Sequence, residues 1–219
     1  MIGLLIGAVL GVILTVVGTP LFIRLLNRRG YGQIIRDDGP TTHATKRGTP
    51  TMGGVVIVIK FVLVYFVTHW IMSMLELENS GITVSALLLL FLTAGMGLIG
   101  FLDDYIKISN QRSLGLTPTG KIVGQGAVGI TFAILALNFP NSQGFTPAST
   151  AISVFRDTSW DLAFFGATAG AILFVIWSNL ITTATTNAVN LTDGLDGLAT
   201  GAVAMVSVGY VLITLFQNN

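Results

Sequence analysis

The chain has no cysteine, and only 10% of its 219 residues are charged. The first absence excludes disulfides, thiolate metal sites and thiol catalysis. The second lies far below the roughly 25% of a soluble domain. Acidic and basic residues nearly cancel, at a net charge of +1, and no basic cluster alternates with aromatics, so nothing points to nucleic acid. Apolar residues stand in place of charge. They make up 52% of the chain, and several runs approach the roughly 20 residues that cross a bilayer. The sequence predicts an all-α, polytopic transmembrane helix bundle forming one integral membrane domain.

Six spans are expected, at about 2–26, 51–70, 83–102, 121–139, 161–181 and 197–216. A signal peptide carries its positive charges before its apolar core. Here Arg24, Arg28 and Arg29 follow the first run, which is also too long, so it reads as a retained membrane helix with Pro20 as a candidate kink. The polar segments between the runs alternate between the two sides of the membrane. The connections after spans one, three and five carry Arg24, Arg28, Arg29, Arg36, Lys46, Arg47, Lys107, Arg112 and Lys121, whereas those after spans two and four carry only Arg156. The positive-inside rule places the first set in the cytoplasm and the N-terminus outside. All the candidate motifs fall on that cytoplasmic set.

The most informative stretch is Asn187-Ala188-Val189-Asn190-Leu191-Thr192-Asp193-Gly194-Leu195-Asp196-Gly197. Asn187, Asn190, Asp193 and Asp196 recur every three residues, and the two Asp-Gly pairs predict a helix break that draws these groups together. An ionised carboxylate at a lipid edge asks for a cation. Capping of the sixth helix by one Asp is the plainer alternative, and it leaves the other polar groups unexplained.

Asp103-Asp104 is expected at the C-terminal end of the third span, where the helix dipole disfavours two acids. Lys107, at i+4 and i+3, is one compensating cation. Mg²⁺, which takes one or two carboxylates plus substrate phosphates, is the other. The first loop offers Asp37, Asp38, His43, Lys46 and Arg47 before Gly48-Thr49-Pro50-Thr51. Bases, glycines and hydroxyls of this kind suit phosphate oxygens, although a basic loop also serves topology and anionic lipid. Lys121 either snorkels to the interface or neutralises a diphosphate. Lys60 lies well inside the second run with no acid at its depth; an ionisable residue there is a functional candidate by default, and a helix-packed or snorkelling side chain is the preferred reading. His69-Trp70 and Trp160 read as interfacial anchors.

The segments DGPTTHATKRGTPTMGG (38–54), GFLDDYIK (100–107), the Lys121 region and NAVNLTDGLDGLA (187–199) closely resemble, in order and wording, the phospho-N-acetylmuramoyl-pentapeptide transferases of bacterial peptidoglycan synthesis. The aspartate motifs also resemble the wider superfamily acting on polyprenyl phosphate. The resemblance implies transfer from UDP-N-acetylmuramoyl-pentapeptide to undecaprenyl phosphate, giving lipid I and UMP, at the cytoplasmic side of the bacterial inner membrane. It implies Mg²⁺ as cofactor, with Asp103, Asp104 and Asp193 catalytic and metal-binding. It implies substrate contacts from His43, Lys46, Thr51, Lys121, Asn187, Asn190, Gly194, Leu195 and Asp196. Membrane lipid is an expected partner, and a homodimer the expected assembly. Family members have ten helices and later Gly-Asp-x-Gly-Ser and His-rich motifs, so this chain is expected to be the N-terminal, six-helix part. A related UDP-N-acetylglucosamine transferase and a cation-binding transporter are the alternatives.

Overall fold

The structure, a computed structural model, describes residues 2–32, 49–77, 80–112, 114–141, 144–153, 157–192 and 197–217. The elements run α1 (Ile2–Arg28), α2 (Gly53–Met74), α3 (Val84–Ser109), α4 (Pro118–Asn138), β1 (Ala151–Ser153), β2 (Asp157–Asp161), a 3-10 turn (Leu162–Phe165), α5 (Ala167–Thr192) and α6 (Leu198–Gln217). Among the described residues, 6 helices are long and apolar enough to cross a membrane. The chain forms two units, Met1–Gln125 and Gly126–Asn219, divided within α4.

In the first unit α1 lies against α2 and α2 against α3. Small residues allow the first contact, because helices in lipid associate by close van der Waals approach. A methyl group at Gly7 would touch Thr68 at 3.4 Å, and one at Gly18 would touch Lys60 Cε at 3.1 Å. Lys60 therefore packs on α1. Its ammonium donates to Thr19 Oγ1 at 2.7 Å and reaches the Thr15 carbonyl at 3.4 Å. The helix-packed reading of Lys60 is what the structure shows. His69 Nδ1 lies 3.0 Å from the Ser80 carbonyl, tying the far end of α2 to the loop before α3. At the opposite end Gly32 bridges Pro50, so the end of α1 and the start of α2 meet.

Two helices run further than the hydropathy pattern predicts. α3 continues through Asp103-Asp104 to Ser109, so the two acids lie inside a helix and not at its end. Lys107 pairs with both, removing the charge penalty that the pattern associates with a terminus. α5 starts at Ala167, not near 161, and continues through the polar stretch to Thr192. Its polar side chains bond their own helix: Thr186 donates to the Thr182 carbonyl at 2.7 Å, Asn187 to Thr183 at 2.9 Å and Thr192 to Ala188 at 2.7 Å. Such back-bonding satisfies hydroxyls and amides without ending the helix. α5 is described as far as Thr192, the expected break at the two Asp-Gly pairs lies largely outside the described residues, and Gly197, at φ 82°, stands just before α6.

In the second unit, β1 and β2 form an antiparallel hairpin where the sequence predicts only a loop. Asp161 Oδ1 accepts from Ala163 N at 2.8 Å and starts the 3-10 turn. That turn lies against α5, and α5 against α6.

Candidate active site

The site is built at the end of the first unit where α1 leaves, α2 begins and α3 ends. Asp103 and Asp104 are about 100° apart around α3, and they meet different neighbours. Asp103 is buried, with 8% of its surface exposed. Its Oδ2 is 2.7 Å from Lys107 Nζ, and its Oδ1 accepts from the backbone N–H of Leu116 at 2.9 Å. Asp104 is more open. Its Oδ1 is 3.1 Å from the same Lys107 ammonium, and its Oδ2 is approached by the Thr51 hydroxyl at 3.4 Å. Lys107 thus bridges the two carboxylates, as one of the two alternatives read from the sequence requires.

Thr51 reaches Asp104 because of the backbone just after it. Met52, the residue before α2, is buried with φ 68° and ψ 23°, a left-handed conformation that is uncommon for a side chain of this size. Gly53-Gly54 then starts the helix. Lys121 is brought to the same end by α4. Thr117 caps that helix, accepting from Gly120 N at 3.1 Å, and Pro118 occupies its first position. Lys121 follows within the first turn, half-buried, and its positive charge acts on Asp103.

Asn187 and Asn190 lie on the last turns of α5 in the second unit, Asn187 half-buried and Asn190 exposed. They continue a polar face that includes Asn179 and Thr183, whose side-chain oxygens are buried without a hydrogen-bond partner among the described residues. Asp37, Asp38, His43, Lys46, Arg47, Asp193, Gly194, Leu195 and Asp196 lie outside the described residues. Of the residues the sequence singles out, the structure brings Thr51, Asp103, Asp104 and Lys107 into direct contact, with Lys121 close by.

Among the described residues no three His, Asp or Glu side chains converge as a metal site. A divalent cation held by one or two carboxylates and completed by substrate phosphates needs fewer. Asp104 fits that demand, because among the described residues the long Thr51 contact is the one its Oδ2 makes. Both oxygens of Asp103 are already engaged.

The family model for glycosyl transferase family 4 matches residues 86–219, from the start of α3 onward. The chain belongs to glycosyl transferase family 4. Within that family, signature 1 of phospho-N-acetylmuramoyl-pentapeptide-transferase matches residues 46–58, the segment that carries Thr51 and Met52. The chain is 66% identical to the phospho-N-acetylmuramoyl-pentapeptide-transferase of Micrococcus luteus, over 100% of its own length and 59% of the relative's. It is 66% identical to that of an Arthrobacter species, over 100% and 60%. It is 59% identical to that of Kineococcus radiotolerans, over 98% and 58%. The chain therefore spans about 59% of the length of the first of these relatives. A glycosyl transferase family 4 chain with six such helices and bacterial relatives of this likeness is a multi-pass bacterial membrane protein.

The sequence reading did not find Gly115 and Leu116, which supply the backbone against Asp103, nor Asn179 and Thr183. A backbone N–H leaves no trace in residue identity. The two polar residues of α5 had a usable signal: they stand four apart within a membrane span, a pattern that marks a functional or packed face.

Proposed function

We propose that the protein transfers phospho-N-acetylmuramoyl-pentapeptide from its UDP-linked donor to undecaprenyl phosphate, giving lipid I and UMP for peptidoglycan synthesis. The observation that carries this reading is a single contact: Thr51, within the transferase signature, meets Asp104 of the Asp-Asp pair. The signature segment and the acidic pair thus belong to one site. An oxygen of the lipid phosphate attacks the sugar-proximal phosphorus of the donor. A new P–O bond forms, the P–O bond to UMP breaks, and UMP carries away the electron pair.

Charge neutralisation and positioning are the main demands of such a transfer. Asp104, with Asp193, would hold Mg²⁺, which would supply charge neutralisation for the transfer when bound. Asp104 also receives or orients the lipid phosphate, beside Asp103. Lys121, Lys46 and His43 hold donor phosphates, and Thr51 orients Asp104. Asn187, Asn190 and Asp196 hold the donor sugar and nucleotide, and the backbone at Gly194 and Leu195 meets the uracil. The site faces the cytoplasm, where the soluble donor is found, with the N-terminus outside and a second copy completing a homodimer.

UMP release tests the reaction. Purified protein, undecaprenyl phosphate and Mg²⁺ are offered either the muramoyl-pentapeptide donor or UDP-N-acetylglucosamine. UMP from the first, abolished by EDTA and restored by Mg²⁺, is the expected result. Preference for the simple sugar refutes the muramoyl assignment, and turnover insensitive to EDTA refutes the metal.

A further inference from the structure

We propose that the segment between α4 and α5 is an aromatic anchor: it docks on the lipid headgroup level of the leaflet at the start of α5, and so sets how far α5 projects at its other end. Four large aromatic side chains stand out from this segment. Phe145 is 70% exposed, Trp160 73%, Phe164 67% and Phe165 78%. All four lie outside the six membrane-length helices. An exposed apolar side chain within a span meets lipid as a matter of course. Outside a span it faces water unless something covers it, and a cluster of this size marks a docking surface.

The rings are held out by fastened backbone. The Phe145 amide donates to Asn141 Oδ1 at 3.0 Å, and the Asn141 amide donates to the Phe145 carbonyl at 2.8 Å. The Ala148 amide bonds the carbonyl of Ala136, on α4, at 3.1 Å, and the Leu162 amide bonds the Thr150 carbonyl at 3.0 Å. Asp161 starts the 3-10 turn that carries Phe164 and Phe165, whose ring centroids are 4.3 Å apart. That turn sits tightly on α5, since a methyl group at Gly170 would lie 2.6 Å from Ala163 Cα. Ties to both α4 and α5 keep the rings from folding away.

Position and chemistry select lipid as the occupant. Phe164 and Phe165 stand just before Ala167, where α5 enters the bilayer, and exposed Ile172 and Ile176 continue the apolar surface along that helix. Aromatic rings suit the level where headgroups meet acyl chains. The length of α5 gives the docking a consequence. Its 26 residues extend about 39 Å at 1.5 Å per residue, against a hydrocarbon thickness of roughly 30 Å. A tilt of roughly 20° absorbs only about 2 Å of the difference. With the first turn anchored, a surplus of about 7 Å, or about five residues, emerges at the far end. That carries Asn190 and Thr192 past the hydrocarbon, with Asn187 at its edge.

The docking does not depend on the proposed reaction, and its test uses no turnover. The full protein is placed in nanodiscs of phosphatidylcholine, plain or brominated just below the headgroup. The Trp160 signal is the difference between the parent and Trp160→Phe. It should be blue-shifted from that of an indole in water, quenched at least about twofold by the brominated lipid, and little affected by acrylamide. Water-like emission that acrylamide alone quenches overturns the anchor. Protection from both quenchers overturns it too, because protein then covers the rings, whether the rest of the chain, a second copy or another partner.

A nitroxide on Ala188→Cys, an exposed position near the far end of α5, reports the projection of that helix. Its depth is read from its accessibility to oxygen against that to a water-soluble nickel chelate. Phe164→Ser with Phe165→Ser should draw it deeper by about one helical turn, roughly 5 Å, because lipid then takes in more of the far end to fill the same thickness. Phe164→Trp with Phe165→Trp should leave it at the parent depth. An unmoved label in the serine variant, or an equal movement in both variants, refutes the control of α5 by the anchor.

Discussion

Two lysines at this scale do opposite work. Lys107 sits between two carboxylates and lets them stand side by side in a helix that the dipole would otherwise oppose. Removing one charge of that trio leaves an intact ion pair behind. Asp104→Asn is therefore expected to unfold within about 1 kcal/mol of the parent, the range of an exposed ion pair, while UMP release falls at least about 10²-fold. Thermal unfolding and turnover measured on the same preparation check both halves, and a stability loss matching the activity loss would mark Asp104 as structural. Lys60 has no carboxylate partner among the described residues and donates only to Thr19 and the Thr15 carbonyl. In Lys60→Leu the Thr19 hydroxyl can turn back to the Thr15 carbonyl one turn earlier, as helical threonines do. Turnover should stay within about twofold and stability within about 1 kcal/mol, the scale of one interhelical hydrogen bond in a bilayer. A large loss of UMP release would give Lys60 a place in the chemistry.

Helix ends show a second economy of the fold. α1, α2 and α3 each end through a residue in the left-handed region, at Gly30 (φ 69°), Glu76 (φ 52°) and Gln111 (φ 46°). The Arg112 amide bonds back to the Lys107 carbonyl at 3.0 Å, closing the end of α3. Only at α1 is the residue the one that adopts this conformation without a Cβ clash. Gln111→Gly should stabilise the protein by up to about 1 kcal/mol in a denaturation experiment, and no gain would show that the glutamine side chain compensates. The hairpin carries the pH-dependent element. The Ala163 amide, with the Thr150 hydroxyl, holds the Asp161 carboxyl below the usual carboxylate range. A depressed native value means its contribution is complete above the unfolded value of about 3.9 and is lost as pH falls through the native one. Trp160 fluorescence should change in that acid window, and Asp161→Ala should abolish the change. Neither hairpin strand was legible in advance, since runs as short as Ala151–Ser153 cannot display an alternation.

At the scale of the whole chain, hydropathy was enough to find six helices, because lipid demands the same apolar length whatever the helix packs against. The ends of α3 and α5 escaped it, since side chains that bond their own helix, or an ion pair within it, do not register as apolar. Thr51 and Asp104 were legible as candidates from motif wording, but their meeting, across residues far apart in sequence, was not. The same alternation of spans carries the orientation proposed from the Lys and Arg distribution, and a cysteine-free chain makes it testable. Ile82, before α3, and Leu114, after it, are both exposed and lie beyond opposite ends of one membrane helix. With nine basic residues on the connections that include Leu114 and one on the others, Ile82→Cys should react with a membrane-impermeant maleimide in intact cells. Leu114→Cys should react only after the membrane is opened. The reverse pattern would turn Asp104, Lys107 and Lys121 away from a cytosolic nucleotide sugar and remove the donor from the proposed reaction.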